Sequence, residues 1–256
     1  MKTKMKTWIL LPALLLGLAS CATSDGQIRD YLKKNPQVLF EVIEDNPEMF
    51  LETVNRAARK AQGAQAEKQQ AEREQRVQEQ LKNPLKPKLE KSRVLAGSPE
   101  AKIVIVEYAD FQCPACSMAA ANLKKVLEKY GDRLQFHYKN MPLDFHPMAM
   151  PASSYYEALM KQDRAKARKF YDSVFANQRA LSDAFLKETA KKAGADMKRL
   201  EADVKSEAVA RTIKNDQEEF VNLGFTGTPV IVVNGIALEG AQPSEAIERV
   251  IELTSK

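Results

Sequence analysis

The chain has 256 residues, 44% of them hydrophobic and 29% charged, a formal net charge of +5, and three cysteines. That length allows one sizeable domain with an appendage. Three cysteines exclude a disulfide-stapled fold, and no cluster of lysines and arginines interleaved with aromatics marks a nucleic-acid binder.

Residues 1–20 open the chain as "MKTKMKTWILLPALLLGLAS". Lys2, Lys4 and Lys6 precede an apolar core from Trp8 to Leu18 too short to span a bilayer, and small residues follow. That order is expected of a signal peptide over 1–20. Its removal takes away three lysines and no acids, which lowers the net charge to about +2. The run "LASC", Leu18–Cys21, resembles the lipobox of bacterial lipoproteins. The resemblance implies lipidation at Cys21 and a membrane anchor facing the periplasm. Ala22, where an Asp would suggest inner-membrane retention, favours the outer membrane. Outside the cytoplasm a thiol pair can be held oxidised or cycled by partners.

Residues 21–55 read as a helical segment. Ile28, Tyr31, Leu32, Val38, Leu39, Val42, Ile43, Met49, Phe50 and Val54 recur at spacings of three and four. Asn35-Pro36 and Asn46-Pro47 break the run, and each asparagine is expected to cap a new helix with proline at its first position. So short a unit cannot bury its apolar face alone. It must pack on the main domain or on a copy of itself. Residues 56–90 carry high helix propensity without an apolar stripe, with Gly63 as a weak point and prolines at the end, and are expected to form a polar helical stalk and linker. A tether of this kind favours self-association of 27–55, as a dimer or trimer.

Residues 91–256 read as a mixed α/β domain. "KIVIVEYA" (102–109) is expected to be a buried strand and Cys113–Tyr130 a helix with Met118, Leu123, Val126 and Leu127 inward. "RLQFHYKNM" (133–141) is a second strand. A block of helices fills 147–222, and "TPVIVVNG" (228–235) with "IALEG" (236–240) forms a hairpin about Asn234-Gly235. A helix starting at Ser244 closes the chain.

The remaining cysteines, Cys113 and Cys116, are spaced C-x-x-C at the end of the first strand. A zinc site needs about four ligands, and His137 and His146 stand at spacings unlike a zinc finger. A structural disulfide is a second possibility, although so tight a loop stabilises little. Redox chemistry suits the placement. A thiol at a helix N-terminus meets the positive end of the dipole and unpaired N–H groups. Cys113 is then the exposed attacker and Cys116, one turn inside, the resolving thiol.

Strand–"FQCPAC"–helix followed by "GTPVIVVNG" resembles the thioredoxin superfamily. The long helical insertion makes the chain similar to its DsbA-like members over about 92–256. The resemblance implies a thioredoxin fold with a large insertion, a redox-active Cys113–Cys116 disulfide in place of any cofactor or metal, and a cis-proline at Pro229 beside the thiols. It also implies that Thr228, Pro229, Pro114 and Ala115 meet the substrate, and that Glu107 is a buried acid assisting proton transfer. An exposed edge glutamate is the alternative for Glu107. Pro114-Ala115 stands where DsbA-like oxidases often carry Pro-His, so the Cys113 thiolate is expected to be less stabilised and the protein a weaker oxidant. Thr228 is more like isomerases and reductases than strong oxidases. "IRDYLKKNPQVLFEVIEDNPEMF" resembles the oligomerisation segment of ScsC-like proteins.

These features point to an exported thiol–disulfide oxidoreductase acting on protein disulfides, as isomerase or reductase. Expected partners are misfolded or reduced exported proteins, a membrane redox partner and further copies of the chain. A DsbA-like dithiol oxidase is the alternative. A second is a copper-binding or scaffold lipoprotein, since two thiolates suit Cu(I).

Overall fold

The computed structural model describes residues 25–255, so the expected signal peptide and Cys21 lie outside the described residues. The chain divides between Gln69 and Gln70 into two compact units.

The first unit holds α1 (Asp25–Lys34), α2 (Gln37–Asp45) and the start of α3 (Pro47–Lys82). Both Asn-Pro pairs separate helices as expected; α3 starts at Pro47 with the Asn46 carbonyl accepting the Phe50 N–H, whereas α2 starts one residue later with Pro36 in the capping position, and both asparagine amides turn back to the preceding helix. Asn35 Nδ2 donates to the Tyr31 carbonyl and Asn46 Nδ2 to that of Val42, each at 3.0 Å. Carbonyls at a helix end are short of intrahelical donors; the Asn35 amide joins its own backbone N–H on the Tyr31 carbonyl, and the Asn46 amide supplies that of Val42. The apolar positions of this unit lie open, with Phe40 60% and Met49 62% exposed. Gly63 does not interrupt α3. One glycine costs about 1 kcal/mol against alanine, which the surrounding strong helix formers absorb.

The second unit begins inside the expected stalk, since α3 from Gln70 onward packs within it. Arg76 pairs with Glu239, Val77 packs against the core, and Gln80 accepts from the Ala237 N–H at 2.8 Å. After α3 the chain runs without regular structure, and the Leu85 N–H donates to the Gly235 carbonyl. Gly235 sits at φ 89°, where a Cβ would stand 2.5 Å from Pro84. Both the Asn234-Gly235 turn and the close approach of 84–85 therefore require glycine.

Five strands form the sheet: β1 (Val94–Gly97), β2 (Ile103–Ala109), β3 (Leu134–Asn140), β4 (Val230–Val233) and β5 (Ile236–Glu239), ordered β1-β3-β2-β4-β5. β2 and β3 run parallel, and every other pair is antiparallel. The short β1 carries no alternation strong enough to announce itself. β2 is central and covered on both sides, which explains its unbroken apolar run. Ile105 and Ala109 face a large core built with α4 (Pro114–Tyr130), while Val106 and Tyr108 face a smaller one with Phe220 and Phe225. On α4 the buried stripe is Cys116, Ala119, Ala120, Leu123, Val126 and Leu127. Met118 falls off that stripe and is 58% exposed, not inward.

The expected helical block contains α5 (Ala149–Met160), α6 (Arg164–Ala176), α7 (Asp183–Lys192), α8 (Met197–Asp203) and α9 (Glu207–Asn222), and α10 (Ser244–Thr254) closes the fold. A buried ionic cluster ties the block to the sheet. Arg93, just before β1, donates to Asp216 on α9 and Glu157 on α5 at 2.6 Å each. Asn140 at the end of β3 donates its backbone N–H to Asp216 and its amide to Glu157. Removing one partner of a buried pair strands the other charge, at about 3–5 kcal/mol. Asp216→Ala is therefore expected to lower the unfolding free energy by about that amount in urea titrations.

Candidate active site

The site begins with the turn that joins β2 to α4. Asp110, fully buried, accepts the Gln112 N–H at 2.6 Å, and its carbonyl accepts the Cys113 N–H at 3.2 Å. This is an Asx turn, in which a short acidic side chain organises its own backbone. The same carboxylate accepts the Leu143 N–H and shares a hydrogen bond with His146 Nδ1 at 2.7 Å. His146 thus belongs to the frame of the thiol loop. His137 is a buried strand residue bonded to Gln135, with its pKa pushed down to about 4 chiefly by burial.

Cys113 is the N-cap of α4, and Pro114 occupies the first turn. The sulfur-bearing residue is not exposed as expected but only 9% accessible, because the turn tucks it against the helix start and Thr228. The Cys113 carbonyl takes the Cys116 and Ser117 N–H groups at 3.0 and 3.3 Å, so the helix starts on the first thiol. The Asp110 N–H donates to Cys116 Sγ at 3.4 Å. From the helical block, Gln178 Nε2 reaches the carbonyls of Phe111 and Cys113 at 2.9 and 2.8 Å. Ser117 Oγ donates to the Phe175 carbonyl at 2.8 Å. The insertion therefore grips the loop that presents the thiols.

Thr228-Pro229 is cis, and the Thr228 carbonyl lies 3.9 Å from Cys113 Sγ. Thr228 and Pro229 are thus brought to the thiols as expected. The Thr228 hydroxyl is buried without a conventional partner, and turned toward a thiolate it has a charge to meet.

The two thiols differ sharply. Donation from the Cys116 side chain, then the Cys116 N–H, the Thr228 hydroxyl and the Ala115 N–H hold Cys113 down to about 5, against burial that pushes the other way. Burial first, and then the neighbouring Cys113 sulfur, push Cys116 up. One thiol is a poised nucleophile at neutral pH and the other keeps its proton. The low value at Cys113 is reached without an imidazole between the cysteines.

Glu107 is fully buried, as expected for an internal acid, and burial pushes its pKa up to about 7. It shares a sheet face with Ile105 and Ala109, on the side of Cys116, by the alternation of β2. Pro114 is exposed and Ala115 half-buried beside Cys113. Among the described residues no group of three or more His, Cys, Asp and Glu could hold a metal ion, and no helix is long and apolar enough to cross a membrane.

Sequence reasoning did not find Asp110, His146, Gln178 or Tyr171. Asp110 had a local signal, an acid two residues before Gln112 in a strand-ending turn. Gln178, at the carbonyls of the thiol loop, and Tyr171, whose hydroxyl donates to Glu107, reach the site from a distant helical block and leave no local trace.

A family model described as thioredoxin matches residues 89–253. The chain is 31% identical over 159 residues to the Na(+)/H(+) antiporter NhaA 1 of Mycolicibacterium vanbaalenii, covering 61% of this chain and 25% of that one. It thus spans about a quarter of the length of the curated relatives that head the comparison. It is 27% identical over 149 residues to the probable disulfide bond formation protein D of Bacillus cereus, covering 54% of this chain and 68% of that one. In fold it is similar to Proteus mirabilis ScsC in a transitional conformation, with a TM-score of 0.56 at 21% identity over 89% of this chain and 93% of that one.

The inequality of the thiols is open to direct measurement. Thiolate absorbance of the reduced protein is expected to rise with a midpoint near pH 5 and to vanish in Cys113→Ser. Thr228→Val is expected to move that midpoint up by roughly half to one pH unit, the worth of one hydrogen bond, at nearly unchanged melting temperature.

Proposed function

The chain belongs to the thioredoxin family, and from that premise we propose that it is a thiol–disulfide oxidoreductase of exported proteins, working as an isomerase or reductase. The observation that carries this is the pairing of a low-pKa Cys113 at a helix start with a buried, protonated Cys116 beside Thr228-Pro229.

The Cys113 thiolate attacks one sulfur of a substrate disulfide. That S–S bond breaks, a mixed disulfide forms, and the other substrate sulfur leaves as a thiolate. Two exits follow. Attack by a substrate thiol returns Cys113 and leaves a rearranged substrate with no net electron transfer. Attack by Cys116 releases a reduced substrate and leaves the Cys113–Cys116 disulfide, which a membrane redox partner must reduce. Pro114, Ala115 and Thr228, backed by the buried Pro229, receive an extended chain, and Glu107 assists the proton at Cys116. The acidic pKa of Cys113 also supports an oxidase, because a stabilised thiolate favours the reduced enzyme. Thr228 and the open apolar face of the first unit favour isomerase work.

That face, with Phe40, Val42 and Met49 all more than half exposed, is read as the surface through which copies pair. Pairing raises the effective concentration of a second thiol couple near one bound substrate. The proposed location is the periplasm, with a lipid anchor at Cys21. The transport named for the longer antiporter is a statement about that protein.

Cys113→Ser is expected to abolish insulin reduction and the refolding of scrambled substrate, and Cys116→Ala to trap mixed disulfides visible on non-reducing gels. Full activity in Cys113→Ser sinks the mechanism. Light scattering on the chain lacking 1–20 is expected to report a dimer or trimer. Phe40→Glu with Met49→Glu is expected to yield a monomer that reduces insulin but loses most isomerisation. A monomeric parent chain rules out the pairing.

A further inference from the structure

Glu107 has one carboxylate oxygen in use and one in reserve. Tyr171, on α6 of the insertion, donates its hydroxyl to Glu107 Oε2 at 2.6 Å, while Oε1 is buried with no partner. An unpartnered buried carboxylate oxygen is costly and calls for a reason. Tyr171 is itself buried, its ring set edge-on to Phe136, Tyr138 and Phe175, so packing fixes the direction of its hydroxyl.

We propose that Tyr171 is a positioning residue for thiol exchange: its hydroxyl fixes Glu107 Oε2 and leaves Oε1 free to take the Cys116 proton in the resolving step. This rests on the reading of Cys113 and Cys116 as an exchange couple. In that step the Cys116 S–H loses its proton to Oε1 and the Cys116 sulfur bonds to the Cys113 sulfur. The bond between Cys113 and the substrate breaks, and the substrate sulfur leaves with the electron pair as a thiolate.

The surroundings give Tyr171 this control. Burial pushes the Glu107 pKa up, and the opposing influences are the Tyr171 hydroxyl first and then the Arg168 charge, both from α6. Arg168 is itself paired with Asp172 at 2.9 Å. The other titratable groups that feel the carboxyl are Tyr156 on α5 and Tyr138 on β3, whose hydroxyl is committed to the Ala109 carbonyl and which feels both Glu107 and Cys116, so that Tyr138 lies near both groups. Tyr171 is thus the one hydrogen-bond donor to the carboxyl among the described residues. Its other flank borders a cleft of about 420 Å³ shared with Ser117, Lys124 and Asp172. Solvent therefore comes within one side chain of the acid.

The test is a single-turnover measurement on the intact chain. Reduced protein is mixed with 5,5′-dithiobis(2-nitrobenzoate), and release of the second thionitrobenzoate from the mixed disulfide is followed against pH. Tyr171→Phe keeps the ring and removes the donor, so the Glu107 proton is held more tightly. The rise of the resolving rate with pH is expected to move from near 7 to about one unit higher. Release at pH 7 then slows about fivefold, because about a tenth rather than half of the carboxyl is ionised. The first release, driven by Cys113, is expected to be unchanged, and Tyr171→Phe is expected to add nothing in a Glu107→Gln background.

3-Fluorotyrosine at 171, a stronger donor of almost the same shape, is expected to shift the profile to lower pH even if the phenylalanine variant folds poorly. A wild type that resolves normally beside an unmoved Tyr171→Phe profile, or slowing that persists in Glu107→Gln, overturns the inference alone. A wild type in which Cys116 never resolves the mixed disulfide overturns the exchange reading, and this inference with it.

Discussion

The helix that starts on Cys113 is the constraint from which the site follows. A helix N-terminus offers N–H groups without intrahelical partners, and here the first sulfur stands among them. Cys116, three residues on, is carried into the core by the same turn. One short segment thus gives two identical thiols opposite protonation, with one polarised toward attack and the other stored. Everything around the segment keeps the helix start in place. Asp110 folds the entering turn, His146 and Leu143 hold Asp110, and Gln178 clamps the carbonyls on the outer side.

The helical insertion has a larger part in this chemistry than its distance along the chain suggests. Through α6 it supplies Tyr171 to Glu107, and just beyond α6 it supplies Gln178 to the thiol loop. The ionic cluster of Arg93, Glu157 and Asp216 fixes α5 and α9 to the same sheet. Ion pairs are directional, so they hold register where apolar packing alone tolerates sliding. The acid and the loop can then be adjusted from outside the thioredoxin core.

Features set by neighbours in sequence were legible in advance. The strand at 103–109, the helix start at Cys113, the Thr228-Pro229 pair and the Asn234-Gly235 turn each follow from a few adjacent residues. What escaped depends on contacts distant along the chain. The Asp110–His146 pair spans 36 positions and the Glu107–Tyr171 pair 64, and no periodicity encodes either. Met118 is apolar but stands at an angle on α4 that points away from the buried stripe, so hydrophobicity alone does not place it. The asparagines before Pro36 and Pro47 carry the signal of a cap for the next helix, but their side chains serve the carbonyls of the previous one. Residues 70–82 look like a solvated helix because the few that dock, Arg76, Val77 and Gln80, act mainly through polar groups.

That docked stretch of α3 bears on a hazard common to sheet proteins. β5 is an outer strand, and an outer strand shows unpaired backbone groups to any extended polypeptide. Here the Ala237 N–H is already taken by Gln80, the Glu239 carboxylate is engaged by Arg76, and the turn at Gly235 is covered by Pro84 and Leu85. With these contacts in place, a strand from another chain finds this edge of the sheet already occupied.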